Sequence, residues 1–379
     1  MGQILGLGLS HYPPLRGADD AMAGILRRTL TRPDVPDAWK KPENWPAPMR
    51  QEWGADEGRS AAPKHRAELV KHLKVLRQAL DDFKPDFVLM WGDDQYENFH
   101  EDITPAFCVY AYEDMEIYPY RPRHRPASTA PMGEGGGLSA SESSSASRPA
   151  PNAWGEGADA VVRIPGKRDA AKWLVRELLT HEHIDMAYSY KPLHYEGLSH
   201  AFLNGVMYLD YERKGWPYPL VAMAINCYGS RVNVNRGGVY PVGTIDVPEA
   251  DLDPPSPSPD RCMEVGAAVA RALARSPWKV ALVASSSWSH AFLVPKHYFV
   301  YPDVDNDRRL YDALVAGDFD AWRKVTEAEV VDRGQQEVLN WWALMGAMEA
   351  LGYKSPDYHG YVESYVMNSN KAFAIYAPR

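Results

Sequence analysis

The chain is poor in cysteine: Cys108, Cys227 and Cys262 are the only three in 379 residues, and they lie far apart. An odd, sparse count supplies no disulfide framework, and no Cys-x-x-Cys pair offers a thiolate knuckle to a metal. A reduced, cytoplasmic protein is expected. There is no basic run; Asp plus Glu (50) exceed Lys plus Arg (41), for a net charge of -9. That balance argues against nucleic acid and anionic membranes as partners. No stretch approaches the roughly 18 apolar residues needed to span a bilayer, so no transmembrane helix is expected. The first residues lack the basic stretch and long apolar segment of a secretory leader, so none is expected. No internal repeat is found.

What is present is apolar and aromatic bulk. Apolar residues make up 45% of the chain, with 12 Trp and 22 Tyr. The length suits one large α/β domain or two ordinary ones. Residues 3–9 read as a first strand. Residues 31–63, rich in Pro, Trp and charge, read as a long excursion with little regular structure. Leu69, Leu73, Leu76, Leu80 and Phe83 recur at intervals of four and three, which predicts a helix over 64–83. "FVLMWGDD" then reads as a buried strand. Strand–helix–strand order predicts a parallel or mixed sheet flanked by helices. Residues 123–158, dominated by Ser, Gly and Pro, have little to bury and read as a flexible surface insertion. Beyond it come a helix over 168–182, strands "IDMAYSY" and "YPLVAMAINCYG", a helix over 261–276 and the strand "WKVALVASSS". Shorter helices follow within 307–326, then an apolar helix from about Gly334. A single α/β domain with two long insertions is expected, because features on both sides of the second insertion belong to one site.

In parallel α/β sheets, ligand sites gather at the carboxyl ends of strands. Four such ends carry polar groups here: Ser10-His11, Asp93-Asp94-Gln95, His194 and His200 in "PLHYEGLSHAF", and His290 in "SSSWSHAF". A lone histidine is more often structural than functional; four polar strand ends together are harder to dismiss. Two histidines and a carboxylate with open positions beside them are the chemistry of non-haem Fe(II). Glu337, in the first turn of the last helix, is a candidate carboxylate, although an acid there also complements the helix dipole.

"GLGLSHYPP", "FVLMWGDDQYENFHEDITPAFCVY", "AINCYG", "SSSWSHAF" and "GQQEVLNWWALMGAM" occur in that order. Together they resemble the class III, LigB-type, extradiol ring-cleavage dioxygenases, the family that contains the catalytic subunit of protocatechuate 4,5-dioxygenase. The resemblance covers nearly the whole chain apart from the two insertions. It implies a LigB-like fold, Fe(II) as cofactor, a catechol-type aromatic diol and O₂ as partners, and a homo-oligomer.

The resemblance also implies roles. His11 would be the first iron ligand, its direction fixed by Pro13 and Pro14, and Glu337 the carboxylate ligand. His290 would be the acid–base residue, taking a proton from the substrate hydroxyl and later returning one. His194 or His200 would stabilise charge on the substrate oxygens. Tyr12, Tyr96 and Trp288 lie near the motifs and could wall the ring, although core packing is the commoner role for such side chains. One position departs from the family. Its members carry Asp-His after the second strand, and that histidine is the second ligand; here the pair is Asp94-Gln95. Gln95 itself, His100, Asp93 or Asp94 would have to serve instead. The departure keeps a rival reading in view, a LigB-fold homologue with an altered or lost metal site, acting as a non-catalytic partner subunit or a metal-dependent hydrolase.

Overall fold

The computed structural model describes residues 2–121, 152–234, 237 and 248–379. Its strands are β1 (Gln3–Leu9), β2 (Phe87–Asp93), β3 (Phe107–Tyr110), β4 (Met115–Ile117), β5 (Val162–Ile164), β6 (Ala187–Ser189), β7 (Leu220–Ile225), β8 (Lys279–Ser285), β9 (Tyr358–Val362) and β10 (Lys371–Tyr376). Eight form one sheet in the order β6-β3-β7-β2-β8-β1-β10-β9, while β4 and β5 pair separately. The centre is parallel: β2 pairs with β7 and β8, and β8 with β1. The flanks mix directions, since β3 runs antiparallel to β7, and β10 antiparallel to both β1 and β9. The sheet is therefore mixed, with helices on both faces.

Strand β1 shows how the sequence builds these layers. Leu5, Leu7 and Leu9 point to one face, into a core shared with the helices Ala61–Phe83 and His200–Leu209. The alternate positions, Gly6 and Gly8, lie under the helix Leu339–Ala350. A Cβ on Gly8 would fall 2.3 Å from the Trp341 ring, and one on Gly6 2.5 Å from Met348 Sδ. The glycines thus let a helix with large side chains sit directly on the strand. That helix also crosses the helix Pro259–Ala274 at backbone distance. A Cβ on Gly266 would meet Ala343 O at 1.8 Å, and one on Gly346 would meet Met263 O at 1.9 Å.

Three expectations need correction. The excursion over 31–63 contains a helix, Ala47–Trp53, and buries Val35, Trp45, Met49 and Trp53. Trp45 and Trp53 are core residues and Trp39 packs against the core, which overrides the turn-rich composition. The last helix begins as a 3₁₀ turn, Gln336–Val338, before Leu339–Ala350, so Glu337 sits in the tight turn. The C-terminal strands β9 and β10 were not foreseen. Residues 123–151 of the Ser/Gly/Pro-rich insertion lie outside the described residues; its end, 152–158, is anchored, Trp154 Nε1 donating to Tyr211 O at 2.9 Å. No described helix is long and apolar enough to cross a membrane.

Candidate metal centre

The carboxyl ends of the parallel strands deliver the polar groups to one place. His11 follows β1, Asp93 is the last residue of β2, and Tyr228 follows β7. Past the end of β8, Ser286 donates its backbone N–H to Leu9 O at 3.1 Å, and His290 donates to Gly334 O at 2.9 Å. Two further residues come from helix starts: His200 opens His200–Leu209, and Glu337 lies in the turn before Leu339–Ala350.

Four of these residues offer donors that all lie within 4.8 Å of one another: His11, Asp93, His200 and Glu337. His11 Nε2 is 3.2 Å from Glu337 Oε2 and 4.0 Å from Asp93 Oδ1, while His200 Nε2 is 3.8 Å from Asp93 Oδ2. The two imidazoles meet edge to face, with centroids 5.0 Å apart. His11, Asp93 and Glu337 are buried, and His200 is nearly so.

Both imidazoles are held by Nδ1. Ser285 Oγ donates to Ala201 O at 2.8 Å, so its contact of 3.2 Å with His11 Nδ1 is one in which the ring donates. That leaves a lone pair on His11 Nε2. His200 Nδ1 lies 2.8 Å from Glu97 Oε2, and the Glu97 carboxylate also accepts the His200 backbone N–H. Nδ1 fixed by an acceptor and Nε2 turned inward is how proteins orient metal-binding histidines. The inward atoms lack partners among the described residues: His11 Nε2, both oxygens of Asp93, and Glu337 Oε2 form no hydrogen bond. Buried polar atoms are rarely left so. Convergent unpartnered nitrogen and carboxylate oxygen donors fit a divalent transition-metal ion.

The electrostatics agree. Two buried carboxylates this close cannot both stay ionised cheaply without a cation. Burial, with the charge on Glu337, pushes Asp93 up to about 7. Burial also opposes ionisation of Glu337, but His290 and His11 outweigh it and hold that carboxyl below its ordinary range. His200 is disfavoured as a cation by burial, yet Glu97 carries it up to about 10. His290 is driven down to about 4 by burial, against the pull of Glu337. His290 Nε2 lies 3.3 Å from Glu337 Oε1, and its Nδ1 has no hydrogen-bond partner among the described residues. Tyr228 donates its hydroxyl to the same Oε1. Glu337 is thus gripped at Oε1, while Oε2 is turned towards His11 Nε2.

The structure brings together His11, His200, His290 and Glu337. It does not bring His194 into this group. That residue is exposed, contacts Asp102 at 2.9 Å and stacks on His100, which in turn stacks on Tyr96. Gln95 is engaged elsewhere: its amide donates to Gly237 O at 2.8 Å, and its Oε1 is 3.5 Å from the Tyr228 hydroxyl. The second imidazole of the group is that of His200. Asp94 is used locally, accepting the backbone N–H groups of Glu97, Asn98 and Phe99. Two expected ring walls are packing residues. Tyr12 is fully buried, donating to Met22 O at 2.6 Å, and Trp288 is fully buried edge-on to Trp341 and Trp322. Tyr96 remains partly accessible.

Sequence reasoning passed over Glu97, Ser285 and Tyr228. Each lies inside a quoted segment, but only spatial placement reveals the histidine or carboxylate it holds. From the sequence, Asp93 is only one of several candidates to replace the second histidine.

Residues 236–373 match the family model described as the catalytic LigB subunit of aromatic ring-opening dioxygenase. The match takes in His290 and Glu337 and lies C-terminal to His11, Asp93 and His200. No curated protein matches the chain.

Proposed function

We propose that this chain, a member of the LigB-type family, is a non-haem Fe(II)-dependent extradiol dioxygenase that opens the ring of a catechol-type substrate with O₂. The observation that carries the reading is the set of unpartnered, inward-facing donors on His11, Asp93 and Glu337, with His200 beside them.

His11, His200, Asp93 and Glu337 would hold the ion. Bound there, a ferrous ion supplies the electronic link between an aromatic diol and dioxygen. The rest is work for the chain's own residues. His290 stands against Glu337 with Nδ1 unpaired, so it can take a proton from a substrate hydroxyl and give one back as the ring opens. Glu97 keeps the His200 ring from turning, and Ser285 does the same for His11. Tyr228 fixes the Glu337 carboxylate through Oε1, so that Oε2 points at His11 and the centre. Enclosure of the centre excludes bulk water, which strengthens each of these contacts. Three buried free thiols support a reducing, cytoplasmic setting.

The second carboxylate, Asp93, favours one alternative, a metal-dependent hydrolase on the same scaffold. Anaerobic loading with Fe(II), iron analysis, and oxygen uptake with a panel of substituted catechols separate the two. We expect iron retention and oxygen uptake with a coloured ring-cleavage product. His290→Phe should retain iron and lose turnover. Iron retained without uptake on any catechol would remove the dioxygenase reading.

A further inference from the structure

Outside the centre, one fully buried carboxylate has no role in the chemistry above. Asp307 lies near the start of the helix Val304–Ala316 and is 0% exposed. It has no ion-pair partner among the described residues; the nearby cation, Lys296, pairs with Asp303 at 2.7 Å. Its oxygens instead accept from three separate segments. The Ser289 backbone N–H donates to both, at 2.9 and 3.2 Å. Gln335 Nε2 donates to Oδ1 at 2.7 Å, and Asn370 Nδ2 to Oδ2 at 2.7 Å.

Each segment adjoins the centre. Ser289 precedes His290. Gln335 is two residues before Glu337, in the approach to its tight turn. Asn370 begins the run into β10, and its carbonyl accepts the Trp288 N–H at 3.1 Å. The junction is closed further by Ser289 Oγ donating to Arg333 O at 2.5 Å and by His290 N donating to Gly334 O at 2.9 Å. A buried carboxylate without a cation is costly unless its hydrogen bonds repay it. Here the bonds join the strand-end loop carrying His290 to the turn carrying Glu337.

We propose that Asp307 is a positioning residue that sets the placement of His290 relative to Glu337 and so tunes the metal centre without touching it. This rests on the metal reading of that centre.

The test uses Co(II), whose visible spectrum reports ligand geometry without turnover. Asp307→Ala should weaken Co(II) binding about tenfold or more and alter the visible bands, since loss of supporting hydrogen bonds typically costs metal affinity about 10- to 100-fold. Asp307→Asn should stay within about threefold of wild type, because Gln335 Oε1 has no partner among the described residues and a flipped Gln335 amide can accept from the new NH₂. If Asp307→Ala does not fold, Gln335→Ala, which removes one donor only, should still weaken Co(II) binding several-fold. Wild-type affinity and spectrum in Asp307→Ala or Gln335→Ala, with only the melting temperature lowered, would overturn the proposal. So would an Asp307→Asn variant as weak as Asp307→Ala, since charge and not geometry would then be at work. Wild-type protein that takes up no Co(II) would instead overturn the metal reading, and the proposal with it.

Discussion

Asp93→Asn should move stability and metal affinity in opposite directions. In the metal-free protein, Asp93 is buried with neither oxygen hydrogen-bonded among the described residues, and burial together with Glu337 raises its carboxyl from 3.8 to about 7. A raised carboxyl stabilises the fold in its protonated form. That stability is present at low pH and is lost as pH rises from the unfolded value towards the folded one. Above pH 7 the cost of ionising Asp93 in the fold is felt, on the order of a few kcal/mol at about 1.4 kcal/mol per tenfold change in proton affinity. An asparagine of the same shape escapes this cost. Metal-free Asp93→Asn should therefore be about 2–4 kcal/mol more stable than wild type at pH 8, and close to wild type at pH 4. For a chain of this length, that is about 1.3 °C of melting temperature per kcal/mol.

Metal binding should respond the other way. The substitution removes a negative donor, and Co(II) or Fe(II) affinity should fall at least tenfold. The assays are urea or thermal unfolding of chelator-treated protein across pH 4–8, and anaerobic competition for the metal. A residue that merely packs would lose stability on mutation and leave metal affinity alone. If metal-free Asp93→Asn were less stable than wild type at pH 8, with metal affinity unchanged, the description of the centre as a carboxylate cluster awaiting a cation would be wrong.

Tyr228→Phe keeps the aromatic bulk and deletes the hydroxyl that grips Glu337; metal affinity should fall about tenfold in anaerobic titration calorimetry, and an unchanged value would remove Tyr228 from the support of the centre. Gln95→His should leave metal affinity within about threefold, because residue 95 is turned towards Gly237; a tightening of tenfold or more would put it among the ligands after all. Gly346→Ala would drive a Cβ to 1.9 Å from Met263 O, and urea denaturation should show a loss of at least about 3 kcal/mol; a near-neutral result would mean the two helices can part.

Much of the centre could be read from the sequence because its residues sit at strand ends. An apolar run such as Ile4–Leu9 announces a buried strand, and the first polar side chains beyond it must lie at the sheet's carboxyl edge. His11 and His290 were legible in this way; Glu337 was legible only from its place at the start of the last apolar helix and from the motif resemblance. What could not be read was the partner of each. His194 and His200 lie six residues apart in one loop-like segment, with nothing local to rank them. The fold does so by starting a helix at His200, whose backbone N–H and ring Nδ1 both reach Glu97, and by leaving His194 at the surface with Asp102.

The aromatic residues failed as signposts for a related reason. Tyr12 and Trp288 lie one and two residues from key histidines, and proximity in sequence suggested a shared cleft. Along extended chain, however, neighbouring side chains point to opposite sides. His11 faces the centre, so Tyr12 is directed into the core, where its ring lies 3.9 Å from Lys371 Nζ. Trp288, just past β8, joins the packed tryptophans of the core beneath the last helix. The alternation is clearest at the end of β2: Asp93 faces the centre, while its neighbour Asp94 turns away to hold the backbone of the following loop.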